Sequence, residues 1–87
     1  MKKLNFDFNL KDLQGNEITE AKANHILANL LVSQTKGDAI KLYTWGLELY
    51  KTGELNLDKS DAQVLENIIK ESETLTVLAK GQILEQF

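Results

Sequence analysis

The sequence predicts an α+β fold in which an N-terminal β-hairpin is followed by four α-helices packed around one hydrophobic core. Residues 4–10 alternate strictly between apolar and polar side chains, which is the spacing of a half-buried strand. After residue 20 the apolar residues recur every three or four positions, which is the spacing of amphipathic helices. Because 87 residues can form one core but not two, we expect a single domain over residues 1–87.

The hairpin is predicted over about residues 3–19. Its first strand, residues 4–10, turns one apolar face toward the core, made of Leu4, Phe6, Phe8 and Leu10. The segment 12–16 then places Gly15 among turn-forming residues, where a positive φ is cheap for glycine. A regular strand of this kind leaves backbone groups unpaired along one edge. We therefore expect that another chain can pair with the hairpin edge.

The four helices are predicted over about residues 20–33, 38–52, 59–71 and 73–86. Each begins beside a residue whose side chain can cap it: Thr19, Asp38, Asp58 or Ser60, and Ser72. Gly53 supplies the C-terminal stop of the second helix. Gly81 weakens the middle of the fourth helix by about 1 kcal/mol relative to alanine.

The second helix is apolar over an unusually wide arc. One face carries Ile40, Tyr43, Leu47 and Tyr50, and an adjacent face carries Ala39, Leu42, Gly46 and Leu49, with Trp45 widening the arc further. An arc this wide exceeds one contact surface, so the helix is either sandwiched in the core or meets a partner. Aromatic residues are common in cores and also anchor many interfaces. The candidate interface residues are Phe6, Phe8, Tyr43, Trp45 and Tyr50, and the sequence leaves open whether the last three are core or interface.

No residue pattern indicates catalysis, a cofactor or a metal. The chain has no cysteine, so disulfides and thiolate zinc sites are excluded, and we expect a cytoplasmic protein. His25 is the only histidine and has no ligand-spaced partners, which favours a structural or solvent-facing role. Lys59 and Ser60 interrupt the ligand pattern that a calcium loop would need, so helix capping is the better interpretation of the acidic residues around them. The sequence therefore predicts that the protein is not an enzyme.

The charges are unevenly distributed along the chain. The formal net charge is -3, and residues 54–87 carry seven acidic residues against three lysines. All ten basic residues are lysine, so the planar group with which arginine binds phosphate or guanine is missing, and we expect no nucleic-acid ligand. The longest apolar run, residues 30–32, is far shorter than the roughly 20 residues of a membrane span. We therefore expect a protein partner or self-association, and no membrane.

Three segments carry a resemblance to other proteins: Lys-Leu-Asn-Phe-Asp-Phe at 3–8, Asp-Leu-Gln-Gly-Asn at 12–16 and Ser-Glu-Thr-Leu-Thr-Val-Leu-Ala-Lys at 72–80. In this order they resemble small proteins found in phages and prophages of gut bacteria. The resemblance implies a structural, assembly or accessory role in a phage module, such as a chaperone or connector, and it transfers no functional residue.

The expected function is a small non-catalytic protein-interaction or assembly module. The alternative is an acidic regulatory or inhibitor protein that binds a basic partner through residues 54–87. Salt separates the two, because charge-driven binding weakens steeply with ionic strength and apolar binding does not.

Overall fold

The computed structural model describes all residues 1–87 and confirms an α+β fold with four helices. The elements in chain order are β1 (Lys2–Asn5), β2 (Asn9–Lys11), β3 (Glu17–Lys22), α1 (Ala23–Val32), α2 (Ala39–Thr52), β4 (Glu54–Leu57), α3 (Lys59–Glu71) and α4 (Val77–Leu84). The four strands form two separate antiparallel pairs, β1 with β4 and β2 with β3. The N-terminal hairpin is thus β2–β3, which spans residues 9–22 instead of 3–19.

The continuous strand predicted over Leu4–Leu10 is wrong, because the chain breaks it into β1 and β2. The amide of Phe6 still donates to the carbonyl of Gly53 at 2.7 Å, which extends the β1–β4 ladder by one bond. Beyond that point the Asp7 amide donates to the Asn5 side chain at 2.8 Å, and the Phe8 amide donates back to the Phe6 carbonyl at 2.9 Å. These local bonds turn the chain, so that β2 pairs with β3 in a different sheet.

The predicted start of α1 near residue 20 is too early. Strand β3 continues through Lys22, and the Ala23 amide donates to the Phe8 carbonyl at 2.8 Å, which extends the contact between the hairpin strands. Helix α1 therefore begins only at Ala23, and its N-cap residue Lys22 makes no side-chain capping bond. Thr19, the predicted cap, lies within a strand.

The predicted start of α4 at residue 73 is also too early. The Ser72 hydroxyl accepts hydrogen bonds from the amides of Thr74 and Leu75, both at 3.2 Å, and so stabilises a turn. Thr76 is the N-cap instead, because its hydroxyl accepts from the Ala79 amide at 3.2 Å. Helix α4 is consequently only eight residues long.

Helices α2 and α3 begin and end close to where the sequence predicts. The Asp38 carboxylate accepts from the Lys41 amide at 3.0 Å, and the Asp58 carboxylate accepts from the Asp61 amide at 2.7 Å. Gly53 ends α2 in the left-handed conformation with φ of 76°. Strand β4 starts directly after it and carries the chain back across β1.

The core contains 17 buried apolar residues and receives side chains from every helix and from β1, β2 and β4. They are Leu4, Phe6, Leu10, Ala23, Leu27, Ala28, Leu30, Leu31, Leu42, Trp45, Leu49, Leu55, Leu57, Leu65, Ile69, Ala79 and Ile83. Asn24 is the one polar residue buried with them. Its Nδ2 donates to the Leu49 carbonyl at 3.0 Å, which ties the first turn of α1 to the last turns of α2.

The C-terminal residues fasten α4 to the first strands. The side-chain amide of Gln82 makes two bonds to the backbone of Lys11: its Oε1 accepts from the amide at 2.8 Å, and its Nε2 donates to the carbonyl at 2.7 Å. The ring of Phe87 lies 6.0 Å from the ring of Phe6. The residue that packs on Phe6 is thus Phe87, which follows α4 in the chain.

Candidate protein-interaction surface

A row of large apolar side chains lies exposed along α2. Ile40 is 81% exposed, Tyr43 59%, Leu47 41% and Tyr50 60%, and we call these four residues the α2 stripe. The opposite face of the same helix is buried in the core through Leu42, Trp45 and Leu49. The wide apolar arc thus divides into one face that stabilises the fold and one that is free to contact a partner.

Helix α1 widens this surface on one side. Val32 of α1 is half exposed beside the stripe, and the two helices approach closely at Gly46, where a Cβ atom would lie 2.7 Å from Val32 Cγ1. One depression of about 170 Å³ is lined by Ala28, Asn29, Val32, Gly46, Leu47 and Tyr50. A second, of about 140 Å³, lies toward the start of α2 and includes Val32 and Tyr43. The surface therefore offers both projecting side chains and recesses that can receive them.

His25 holds the end of the stripe in place. Its ring stacks on that of Tyr50, with 4.5 Å between ring centroids and 23° between planes. His25 itself is half-buried on α1. A side chain that is ordered before binding loses less conformational entropy when a partner arrives, so this contact favours binding at Tyr50.

The stripe carries little charge. The positions that flank it along α2 are Ala39 and Gly46 on one side and Thr44 and Lys51 on the other. No acidic side chain occupies these four positions, and Lys51 is the single charged one. The surface is thus suited to an apolar partner more than to a strongly charged one.

Lys41 lies on the other side of α2 and joins it to α3. Its Nζ is 2.9 Å from Asp61 Oδ1 and 5.9 Å from the centre of the Trp45 ring. The hydrogen bond and the negative charge of Asp61 raise the pKa of Lys41 above its ordinary value of 10.5. Lys41 is therefore engaged within the chain, away from the stripe.

The structure brings together only two of the five candidate interface residues. Tyr43 and Tyr50 share the α2 stripe, whereas Phe6 is fully buried and Trp45 lies on the core face of α2. Phe8 is half-buried beside the hairpin. Phe6 and Trp45 cannot contact a partner while the chain is folded, because Phe6 is fully buried beside Phe87 and Trp45 belongs to the core face of α2.

Three residues of the surface were not among those candidates. Ile40 and Leu47 share a face with Tyr43 and Tyr50 in the sequence pattern, so the three- and four-residue spacing was a sufficient signal for them. Val32 had no such signal, because its place beside the stripe depends on how α1 packs against α2.

The hairpin edge offers less than the sequence predicted. The expected strand is broken into β1 and β2, which belong to different sheets, and the backbone of Lys11 in β2 is occupied by Gln82. The chain therefore lacks the long, continuous open edge expected along residues 4–10.

Four of the seven acidic residues in the C-terminal third are engaged in the fold. Three of its carboxylates pair with lysines: Glu54 with Lys3 at 3.1 Å, Asp61 with Lys41 at 2.9 Å and Glu66 with Lys70 at 2.9 Å. A fourth, Asp58, caps α3. A basic partner would thus have to compete with bonds that already exist.

Comparison of the chain with protein-family models, with curated proteins and with solved structures finds no match. None of the four helices combines the length and apolar content needed to cross a membrane. No three histidine or acidic side chains lie close enough together to hold a metal ion.

Proposed function

We propose that this chain is a small non-catalytic protein-interaction or assembly module that binds a protein through the α2 stripe. The observation that carries this proposal is the row of four large apolar side chains, 41–81% exposed, on a helix whose other face is built into the core. Apolar surface gains free energy when it leaves water, and contiguous exposed patches commonly mark protein-binding sites.

The size of the surface supports a specific contact. The exposed fractions of the stripe and of Val32 add up to about three complete side chains. At roughly 150–200 Å² for each large side chain, this is about 450–600 Å² on one partner. Such a patch is at the upper end of what a monomer usually exposes, and it can bury about 900–1,200 Å² when both partners are counted.

The setting of this function is also part of the proposal. The resemblance to phage and prophage proteins supports a role in assembly within a phage module. The absence of cysteine suits a reducing compartment, and we place the protein in the cytoplasm on that basis.

The alternative of an acidic inhibitor has weaker support. Four of the seven acidic residues of the C-terminal third already pair with lysines or cap α3. Binding that persists as ionic strength rises favours the α2 stripe, whereas binding lost at high salt favours the acidic third.

A photo-crosslinking experiment in the native cell tests the α2 stripe directly. Benzoylphenylalanine replaces Tyr43 in one variant and Val64 of α3 in a control; Val64 is 44% exposed and lies outside the stripe. We expect a crosslinked protein, either a second copy or another chain, from position 43 and none from position 64. No product from position 43, or equal products from both positions, would contradict the proposal.

A further inference from the structure

We infer that the partner of the α2 stripe is a second copy of this chain, bound with its α2 antiparallel to the first about a two-fold axis. This inference rests on the proposed function and names the partner in it. A two-fold interface requires that one patch be complementary to itself after reversal. The α2 stripe meets that requirement in its spacing, its flanking charge and its area.

The spacing of the stripe reads the same in both directions. Its residues follow one another by three, four and three positions, from Ile40 through Tyr43 and Leu47 to Tyr50. In an antiparallel pair Ile40 therefore lies opposite Tyr50 of the second copy, and Tyr43 lies opposite Leu47. Every contact thus joins an aromatic ring to an aliphatic side chain. The same spacing is that of two heptads of a coiled-coil seam, whose side chains insert between those of the facing helix.

The residues beside the stripe create no repulsion in this arrangement. Reversal places Lys51 of one copy near Thr44 of the other, so the two lysines do not face each other. The other flank consists of the small residues Ala39 and Gly46, which line the two recesses between α1 and α2. Two lysines lie near the stripe, Lys51 on its flank and Lys36 in the recess beside Tyr43, whereas a second copy supplies a matching apolar row.

The available area indicates a dimer of low affinity. The two stripes and their Val32 side chains together bury about 900–1,200 Å², which is just below the size of standard specific interfaces. Interfaces below about 1,200 Å² are typically weak or transient, so we expect a dissociation constant on the order of 100 µM. The dimer should therefore form and dissociate with concentration in a range that is accessible in solution.

Light scattering of the full chain from about 10 µM to about 1 mM tests association, since that range brackets a dissociation constant on the order of 100 µM. The mass should rise from 9.8 kDa toward twice that value. Leu47→Glu should weaken association by at least about tenfold, because each copy would bury a carboxylate against an apolar row. Val64→Glu is the matched control, since Val64 is 44% exposed and Leu47 41%, and it should associate like the native chain. Circular dichroism checks that both variants are folded.

Disulfide trapping tests the orientation. The chain has no cysteine, so single substitutions give products that can be interpreted directly. A mixture of Ile40→Cys and Tyr50→Cys should form the mixed disulfide, whereas neither variant should link to itself. Efficient self-linking of Ile40→Cys would indicate parallel helices and would overturn the inference.

The outcomes separate this inference from the proposed function. A chain that stays monomeric at about 1 mM, together with a crosslink from position 43 to a different protein in cells, overturns the second copy as partner and leaves the interaction function intact. A monomer with no crosslink from position 43 overturns both.

Discussion

Replacing Gly53 with alanine should destabilise the fold strongly, for two separable reasons. Gly53 ends α2 with φ of 76°, a conformation that costs an L-residue roughly 1–2 kcal/mol. An added Cβ would also lie 2.7 Å from Asp7 Cβ and 3.1 Å from Asp7 Cα. Backbone that must move to relieve such a contact costs typically about 1–3 kcal/mol more. The shift would disturb the bond between the Phe6 amide and the Gly53 carbonyl, so we expect a total loss of about 2–5 kcal/mol.

Gly15→Ala supplies the matched control for this measurement. Gly15 has φ of 88°, but an added Cβ there meets no atom within 4 Å, so the variant carries the conformational cost without the clash. Urea unfolding followed by circular dichroism gives both free energies of unfolding. At about 4–8 °C per kcal/mol, Gly53→Ala should also melt well below Gly15→Ala. Equal losses in the two variants would refute the close approach of the Asp7 segment to Gly53.

Three further predictions concern α4 and the pairing of α2 with α3. Gly81→Ala should raise the free energy of unfolding by about 0.5–1 kcal/mol, because Gly81 is inside α4 and a Cβ meets nothing within 4 Å; an unchanged melting temperature would contradict this. Gln82→Ala should lower the free energy of unfolding by about 1 kcal/mol and speed hydrogen exchange at the Lys11 amide. Unaltered exchange at that amide would contradict the hydrogen bond between Lys11 and Gln82. Asp61 raises the pKa of Lys41, so the native chain should be more stable than Lys41→Met at neutral pH, and this difference should disappear as the pH rises above 10.5. Urea unfolding of both proteins at neutral pH and above pH 10.5 measures the difference. A difference in stability that grows with pH would contradict the prediction.

For residues 4–10, the sequence was a good guide to which side chains are buried and a poor guide to which strand pairs with them. Leu4, Phe6 and Leu10 are all buried, as the alternation indicated. Alternation defines a face and says nothing about which strand pairs with it. The partner of β1 is β4, whose four residues are too few for a clear pattern and lie about 50 positions away in the chain.

Helix starts were predictable where the candidate capping residue does not belong to a strand or a turn. Asp38 and Asp58 cap α2 and α3 as expected. Thr19 and Ser72 have the same capping chemistry, but the first belongs to a strand and the second to a turn. Propensity identifies residues able to cap a helix, and the tertiary structure decides which of them do.

The sequence likewise predicted only part of the interaction surface, because the rest depends on tertiary packing. The helical spacing indicated that Tyr43 and Tyr50 share a face, and they do. It could not decide that Trp45 belongs to the core, because that depends on which side of α2 receives α1 and β4. The sequence showed the wide apolar arc of α2, but packing decides which part of the arc is buried in the core and which part is exposed.

The bond between Gln82 and Lys11 has a consequence for the behaviour of the chain in solution. An exposed strand edge is a template on which further chains can stack and aggregate. Here a glutamine side chain supplies the donor and acceptor that a neighbouring strand would otherwise provide at Lys11. We therefore expect that a variant that loosens this short helix exposes the strand edge at Lys11 and aggregates more readily than the native chain.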